Sequence, residues 1–205
     1  MIDIFFCVDA SRQIGTGHLV RCLILADKLR DQGASVSFVL KRSSEYAQRR
    51  VAGRQYAFFS VENDAFSDPE ALSRLMKHES RHATRWLCID SDEPEFYTVD
   101  FQEFIRRQGI KLGMIVFTTS GVFHVDLLHN QNPLALDADY RTLPATKQLL
   151  GLDYVILKET YAALQPTIDP GKGKSIHQVL VNFGGADLHD KTGRITHLLL
   201  ENFPD

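Results

Sequence analysis

Short apolar runs alternate along this chain with stretches whose apolar residues recur every three or four positions. Ile2, Ile4, Phe5, Phe6 and Val8 make the first run, which reads as a buried strand. Leu19, Leu23, Ile24, Ala26 and Leu29 follow at helical spacing. Continued along the chain, the pattern predicts strands over 2–8, 35–40, 55–60, 85–90 and 111–117. It predicts helices over 18–32, 44–52, 69–82 and 95–108. Gly33 and Gly109 stand where the first and fourth helices should stop, and Asp68-Pro69 where the third should start. Strands alternating with helices imply βαβ units and a parallel sheet flanked by helices.

The texture changes after residue 117. Residues 122–128 suit one more strand, Asn130-Gln131-Asn132-Pro133 starts a polar loop, and 149–157 suggests a tight turn into a short buried segment. Residues 166–175, with Pro166, Pro170, Gly171 and Gly173, have the composition of a linker. Beyond it, 179–183 predicts a strand, Gly184-Gly185-Ala186-Asp187 a second glycine turn and 192–200 a helix. Three such elements cannot close a core. The expected organisation is therefore a first domain over 1–165, a linker over 166–175 and the opening of a second α/β domain over 176–205, cut off at Asp205.

Composition narrows the function classes. The 205 residues are 44% hydrophobic and 24% charged, with a net charge of −3, values of an ordinary globular chain without a global field for nucleic acid or acidic membranes. No apolar run approaches the roughly 18 residues of a membrane span, and Asp3 near the start is unlike a signal peptide. Cys7, Cys22 and Cys88 are odd in number and lie in apolar contexts, which suits reduced packing residues of a cytoplasmic protein.

Chemistry concentrates between the first strand and the first helix, in Asp9-Ala10-Ser11-Arg12-Gln13-Ile14-Gly15-Thr16-Gly17-His18-Leu19-Val20-Arg21. Such turns lie at the carboxyl end of a parallel sheet, where ligands bind. Gly15 and Gly17 let backbone approach a ligand, and the helix start favours anions. The same dipole works against a second positive charge, which suits His18 to accepting a proton. Plain chain geometry and a polar helix cap explain the motif equally well. A dinucleotide fingerprint would need a third glycine where Val20 stands, so no nicotinamide cofactor is indicated.

Two other motifs fail on context. His78-Glu79-Ser80-Arg81-His82 fits His-Glu-x-x-His, but Lys77, Arg81 and Arg85 crowd it with positive charge and no third ligand is apparent. Gly171-Lys172-Gly173-Lys174-Ser175 ends like a phosphate loop, but Ile168 replaces the required first glycine and a strand, not a helix, is predicted to follow.

The spacing Asp9-x-Ser11-x-x-Ile14-Gly15-x-Gly17-His18-x-x-Arg21-Cys22-Leu23-x-Leu25-Ala26 resembles the UDP-2,4-diacetamido-2,4,6-trideoxy-β-L-altropyranose hydrolase family of pseudaminic acid biosynthesis. In the same order, 126–132 resembles that family's Asp…Asn-x-Asn segment, 151–161 its Gly-x-x-Tyr-x-x-Leu-Arg-x-x-Phe segment, and 183–187 its Gly-Gly-x-Asp turn. The resemblance spans the whole chain, and the first motif is its most specific part. It implies a Rossmann-like parallel sheet flanked by helices, serving as the N-terminal domain of a glycosyltransferase-B-type two-domain architecture. The implied reaction is inverting hydrolysis of a UDP-sugar at the anomeric carbon, with no metal and no cofactor. His18 matches the catalytic base. Asp9, Ser11, Gly15, Gly17, Arg21, Asp92, Asn130 and Asn132 would bind substrate. Gly184, Gly185 and Asp187 would bind the nucleotide across the cleft, so a chain ending at Asp205 is expected to be inactive alone.

Departures from the family pattern fall at Cys7, where Arg is usual, at Asp90-Ser91-Asp92, where Asp-x-Tyr is usual, and at Thr118-Thr119, where an acidic pair is common. They bear on substrate identity more than on fold. A glycosyltransferase of the same architecture, acting on a hydroxyl acceptor, and a non-catalytic sugar-binding homologue remain alternatives.

Overall fold

A computed structural model of the chain describes residues 1–10, 16–162, 179–183, 187 and 189–203. Seven parallel strands form the main sheet. They are β1 (Asp3–Val8), β2 (Ser35–Lys41), β3 (Ala57–Val61), β4 (Arg85–Asp90), β5 (Lys111–Ile115), β7 (Leu127–Asn130) and β9 (Lys147–Leu150), in the order β3-β2-β1-β4-β5-β7-β9. A second, two-stranded parallel sheet pairs β6 (Ser120–Phe123) with β8 (Asp139–Thr142). The helices are α1 (Gly17–Asp31), α2 (Glu45–Ala52), α3 (Asn63–Phe66), α4 (Pro69–Glu79), α5 (Val99–Arg107), α6 (Glu159–Ala162) and α7 (Lys191–Asn202). This is the α/β, Rossmann-like arrangement expected from the alternation of apolar periods.

Strand β1 shows why the pattern was legible. Successive strand side chains point to opposite faces. Ile4, Phe6 and Val8 meet Leu19, Leu23 and Ala26 of α1 and Ala47 and Val51 of α2. Phe5 and Cys7 go to the opposite layer, with Leu72 and Met76 of α4 and Phe101 and Ile105 of α5. Every residue of the strand is buried, including Asp3, whose carboxylate accepts the amides of Arg81 at 2.8 Å and His82 at 2.6 Å. That capture draws the chain out of helix after Glu79, three residues short of the expected end. His82 therefore lies beyond α4 and does not share a helical face with His78.

Other boundaries have equally local causes. Gly33 and Gly109 adopt φ of +87° and +74°, the left-handed conformation that stops α1 and α5. The helix expected over 95–108 is instead a 3-10 turn, Pro94–Tyr97, followed by α5. Thr98 separates them, its hydroxyl accepting the amide of Phe101 at 3.3 Å.

Three expectations need correction. The single strand over 122–128 is two strands in different sheets, and Asp126 makes the break. Its carboxylate accepts the amide of Leu112 at 3.0 Å and pairs with Lys111 at 2.8 Å and Arg106 at 3.4 Å, which ties the chain to β5 before β7 begins. The segment after Gly151 is not buried, since Leu152, Tyr154 and Leu157 are exposed. Residues 179–183 form no strand. Leu180 is 91% exposed, and no strand is assigned over these five residues. The helix expected over 192–200 is present as α7. Of the linker expected at 166–175, every residue lies outside the described ones. Strands β8 and β9 were not anticipated, because their four-residue sequences carry little apolar signal.

Burial works against ionisation of Asp126, but its bonds to Lys111 and the Leu112 amide, with the charges of Lys111 and Arg106, hold its pKa below the usual carboxylate value. The ionised carboxylate therefore stabilises the fold above an unfolded pKa of about 3.9, and that contribution is lost as pH falls through the lower folded value. Urea denaturation across acid pH should show this loss in the natural chain and a flatter profile in Asp126→Asn. Parallel profiles would remove Asp126 from the acid sensitivity.

Candidate active site

The strand order reverses between β1 and β4: β2 and β3 continue to one side, β5, β7 and β9 to the other. In open parallel sheets the crevice outside the carboxyl ends of such a strand pair is where ligands bind. Asp9 follows β1 directly, Asp90 ends β4, and Ser91 and Asp92 follow it. Helix α1 brings His18 and Arg21 to the same edge.

Asp90 organises this edge. Its side chain is 1% exposed and accepts two bonds from the Arg21 guanidinium, one of them from Nε at 2.5 Å. The Cys22 thiol donates to the same carboxylate at 3.4 Å. Burial first, and the Asp90 charge second, push the Cys22 thiol far above its ordinary pKa, so it stays a protonated donor. The guanidinium lies 4.4 Å from the Phe117 ring centroid, which covers its open face. The first turns of α1 are thus clamped to the end of β4.

His18 sits on that clamped turn. Its Nε2 lies 3.9 Å from Asp92 Oδ2; the histidine side chain is 13% exposed and the carboxylate 69%. Among the described residues, His18 Nδ1 is buried without a hydrogen-bond partner. The side chain of Thr16 makes no capping bond, and α1 has no acidic residue in its first turn. A Cβ placed on Gly17 would meet, among the described residues, nothing nearer than Arg21 Nη1 at 4.0 Å.

Asp9 is held on the other flank. Lys41, the last residue of β2, reaches its Oδ2 at 3.0 Å and also pairs with Glu93. Burial opposes the Lys41 charge, but the bonds it donates to Glu93 and Asp9 outweigh it and raise the ammonium pKa. Lys41 and Glu93 were not anticipated from the sequence. The available signal was that a lysine at the end of a parallel strand projects from the same edge as Asp9. Tyr97 borders the cluster through a bond from its hydroxyl to the Ser91 carbonyl at 3.2 Å. Burial, then the charges of Asp92 and Asp90, raise its phenol to about 12, so it stays protonated.

The remaining candidates stand elsewhere. Asn130, fully buried at the end of β7, donates to the Thr118 carbonyl at 3.0 Å and the Tyr140 hydroxyl at 2.7 Å, and accepts the Asn132 amide at 2.9 Å. Asn132 caps a 3-10 turn by accepting the Leu134 amide at 2.9 Å. These bonds join the small sheet to the large one. Asp187 accepts the amides of Lys191 at 2.8 Å and Thr192 at 2.9 Å; those bonds, with Thr192 foremost, lower its pKa. Its carboxylate therefore caps the start of α7. Ser11, Gly15, Gly184 and Gly185 lie outside the described residues. Of the departures, Cys7 is buried in the core with a raised thiol pKa, caused by burial and then by Asp9. Thr118 closes a turn by donating to the Ser120 carbonyl at 2.8 Å.

No protein-family model, curated protein or solved structure matches the chain. Fold and site define its class: an α/β protein with a Rossmann-like sheet and a polar crevice at the strand-order reversal.

Removing one partner of a buried ion pair typically costs about 3–5 kcal/mol, because the other charge is left uncompensated. Asp90→Ala should therefore lower urea stability by about that amount, whereas exposed Asp92→Asn should change it by less than about 0.5 kcal/mol. Equal effects would mean that Asp90 is not the structural member of the pair.

Proposed function

We propose that this crevice takes the sugar end of a UDP-linked diacetamido-trideoxy sugar and that the reaction is hydrolysis at the anomeric carbon. One observation carries the proposal: of the His18 motif, Asp9, His18 and Arg21 stand at the strand-order reversal, with His18 on a turn fixed by Arg21–Asp90 and facing the Asp92 carboxylate. The charge balance favours the sugar over the diphosphate at this position. Among the described residues, Asp9, Asp90, Asp92 and Glu93 outnumber Lys41 and Arg21, and carboxylates accept bonds from hydroxyl and amide N–H groups while repelling phosphate.

In the proposed reaction, water adds to the anomeric carbon as His18 takes its proton. The bond from that carbon to the UDP oxygen breaks, and UDP leaves with the electron pair. Attack opposite the leaving group inverts the centre. Asp92 is placed to stabilise the imidazolium that forms, and the clamp at Asp90 holds the base in position. The resemblance assigns the nucleotide to Gly184, Gly185 and Asp187, at the other end of the chain.

The test is UDP release from the UDP-linked 2,4-diacetamido-2,4,6-trideoxy-altropyranose by the natural protein containing these residues, with and without hydroxyl acceptors. Release without acceptor is expected, and His18→Ala should reduce it about 10²–10⁴-fold, the usual contribution of a general base. Release only with an acceptor would make the protein a transferase. Binding without release would make it a sugar-binding protein, and full activity in His18→Ala would remove the base assignment.

A further inference from the structure

Among the described residues, one face of the main sheet is incompletely covered. Helices α1 and α2 pack over β1 and β2, and α4 and α5 over the opposite face. Beside α1, a groove of about 610 Å³ runs over β4, β5, β7 and β9. Trp86, Ile115 and Leu149 contribute to its floor, Leu25 and Leu29 of α1 to one wall, and Ile156 to the other. Trp86, Leu25, Leu29 and Ile156 are only partly buried. In a doubly wound fold this is the place of a helix, because an apolar sheet face is buried by the apolar stripe of one.

The chain also carries a helix without a core. Helix α7 has Ile195, Leu198 and Leu199 at i, i+3 and i+4, the spacing of a single apolar stripe, yet none of its residues is buried. Ile195 is 38% exposed and Leu198 52%. Its 12 residues give a length of about 18 Å, against about 20 Å for a strand as long as β4.

We infer that α7 is the helix that fills this groove in its own chain. The route of the chain supports an intramolecular partner. Val155, Ile156 and Leu157 line the groove, and Glu159 at the start of α6 pairs with Lys28, another lining residue. The chain therefore leaves the sheet at the groove itself. Twenty-eight residues separate α6 from α7, enough chain length for α7 to reach back to the groove. Docking assigns α7 to this sheet instead of to a separate one. It leaves the roles of His18 and Asp92 untouched but, because Asp187 caps α7, it replaces the separate nucleotide-binding domain that the resemblance implies.

Trp86 is the single tryptophan of the chain and lines the groove, so it reports occupancy. Acrylamide quenching of the full 205-residue chain should be weak, and in the double variant Ile195→Asp, Leu199→Asp the quenching constant should rise about twofold or more as the docked fraction falls. Leu200→Asp, off the stripe, should match the natural chain. Circular dichroism should show both variants folded, since α7 contributes nothing to the described core. Sedimentation should show a monomer throughout. Equal quenching in the natural chain and the double variant would overturn the inference, and so would a dimer that the double variant dissociates, since the occupant would then be a second copy.

Discussion

The Asp90 carboxylate is the constraint on which the rest of the crevice depends. It ends β4 inside the fold at 1% exposure, where an unpaired charge would be costly, and it receives the Arg21 guanidinium and the Cys22 thiol from a single turn of α1. Those contacts fix the rotation and height of α1 against the sheet. His18 lies one turn before Arg21, so its approach to Asp92 follows from a bond made elsewhere. The clamp also settles which carboxylates are structural. Asp90 is consumed by Arg21, whereas Asp92, two residues on, keeps a largely exposed side chain.

The chain has two kinds of helix start. At α1 the first turn has no acidic residue, and the side chain of Thr16 does not cap it. At α7 the carboxylates of Asp187 and Asp190 both accept backbone amides of the first turn. A helix start already holding carboxylates has less to offer another anion, while one without them is open to a ligand. The acidic cluster beyond β1 and β4 then favours neutral polar groups over phosphate.

Much of this was legible in the sequence, for a physical reason. Buried parallel strands must be apolar on both faces, so β1, β2 and β4 stand out as runs, and α1 is marked by the spacing of Leu19, Leu23 and Ala26. His18 was marked by its place at a helix start after a glycine turn, whereas the choice of Arg21, Asp9 and Asp92 rested on the family resemblance. What escaped was set by tertiary bonds without a local pattern. Asp3 ends α4 from more than seventy residues away, Asp126 cuts one apolar stretch into two strands, and Lys41 joins Asp9 only because β2 lies beside β1. The short polar strands β8 and β9 are held by pairing rather than by apolar periodicity. Residues 179–183 have a strand's composition but form no strand.

The most direct test of the central claim is to locate the sugar. Titrating the isotope-labelled chain with the UDP-linked diacetamido sugar, and following its amide and imidazole resonances, would identify the residues that sense it. The account predicts the largest changes at His18, Arg21, Asp9 and Asp92. Changes confined to the groove beside Trp86, with the His18 imidazole unmoved, would contradict it.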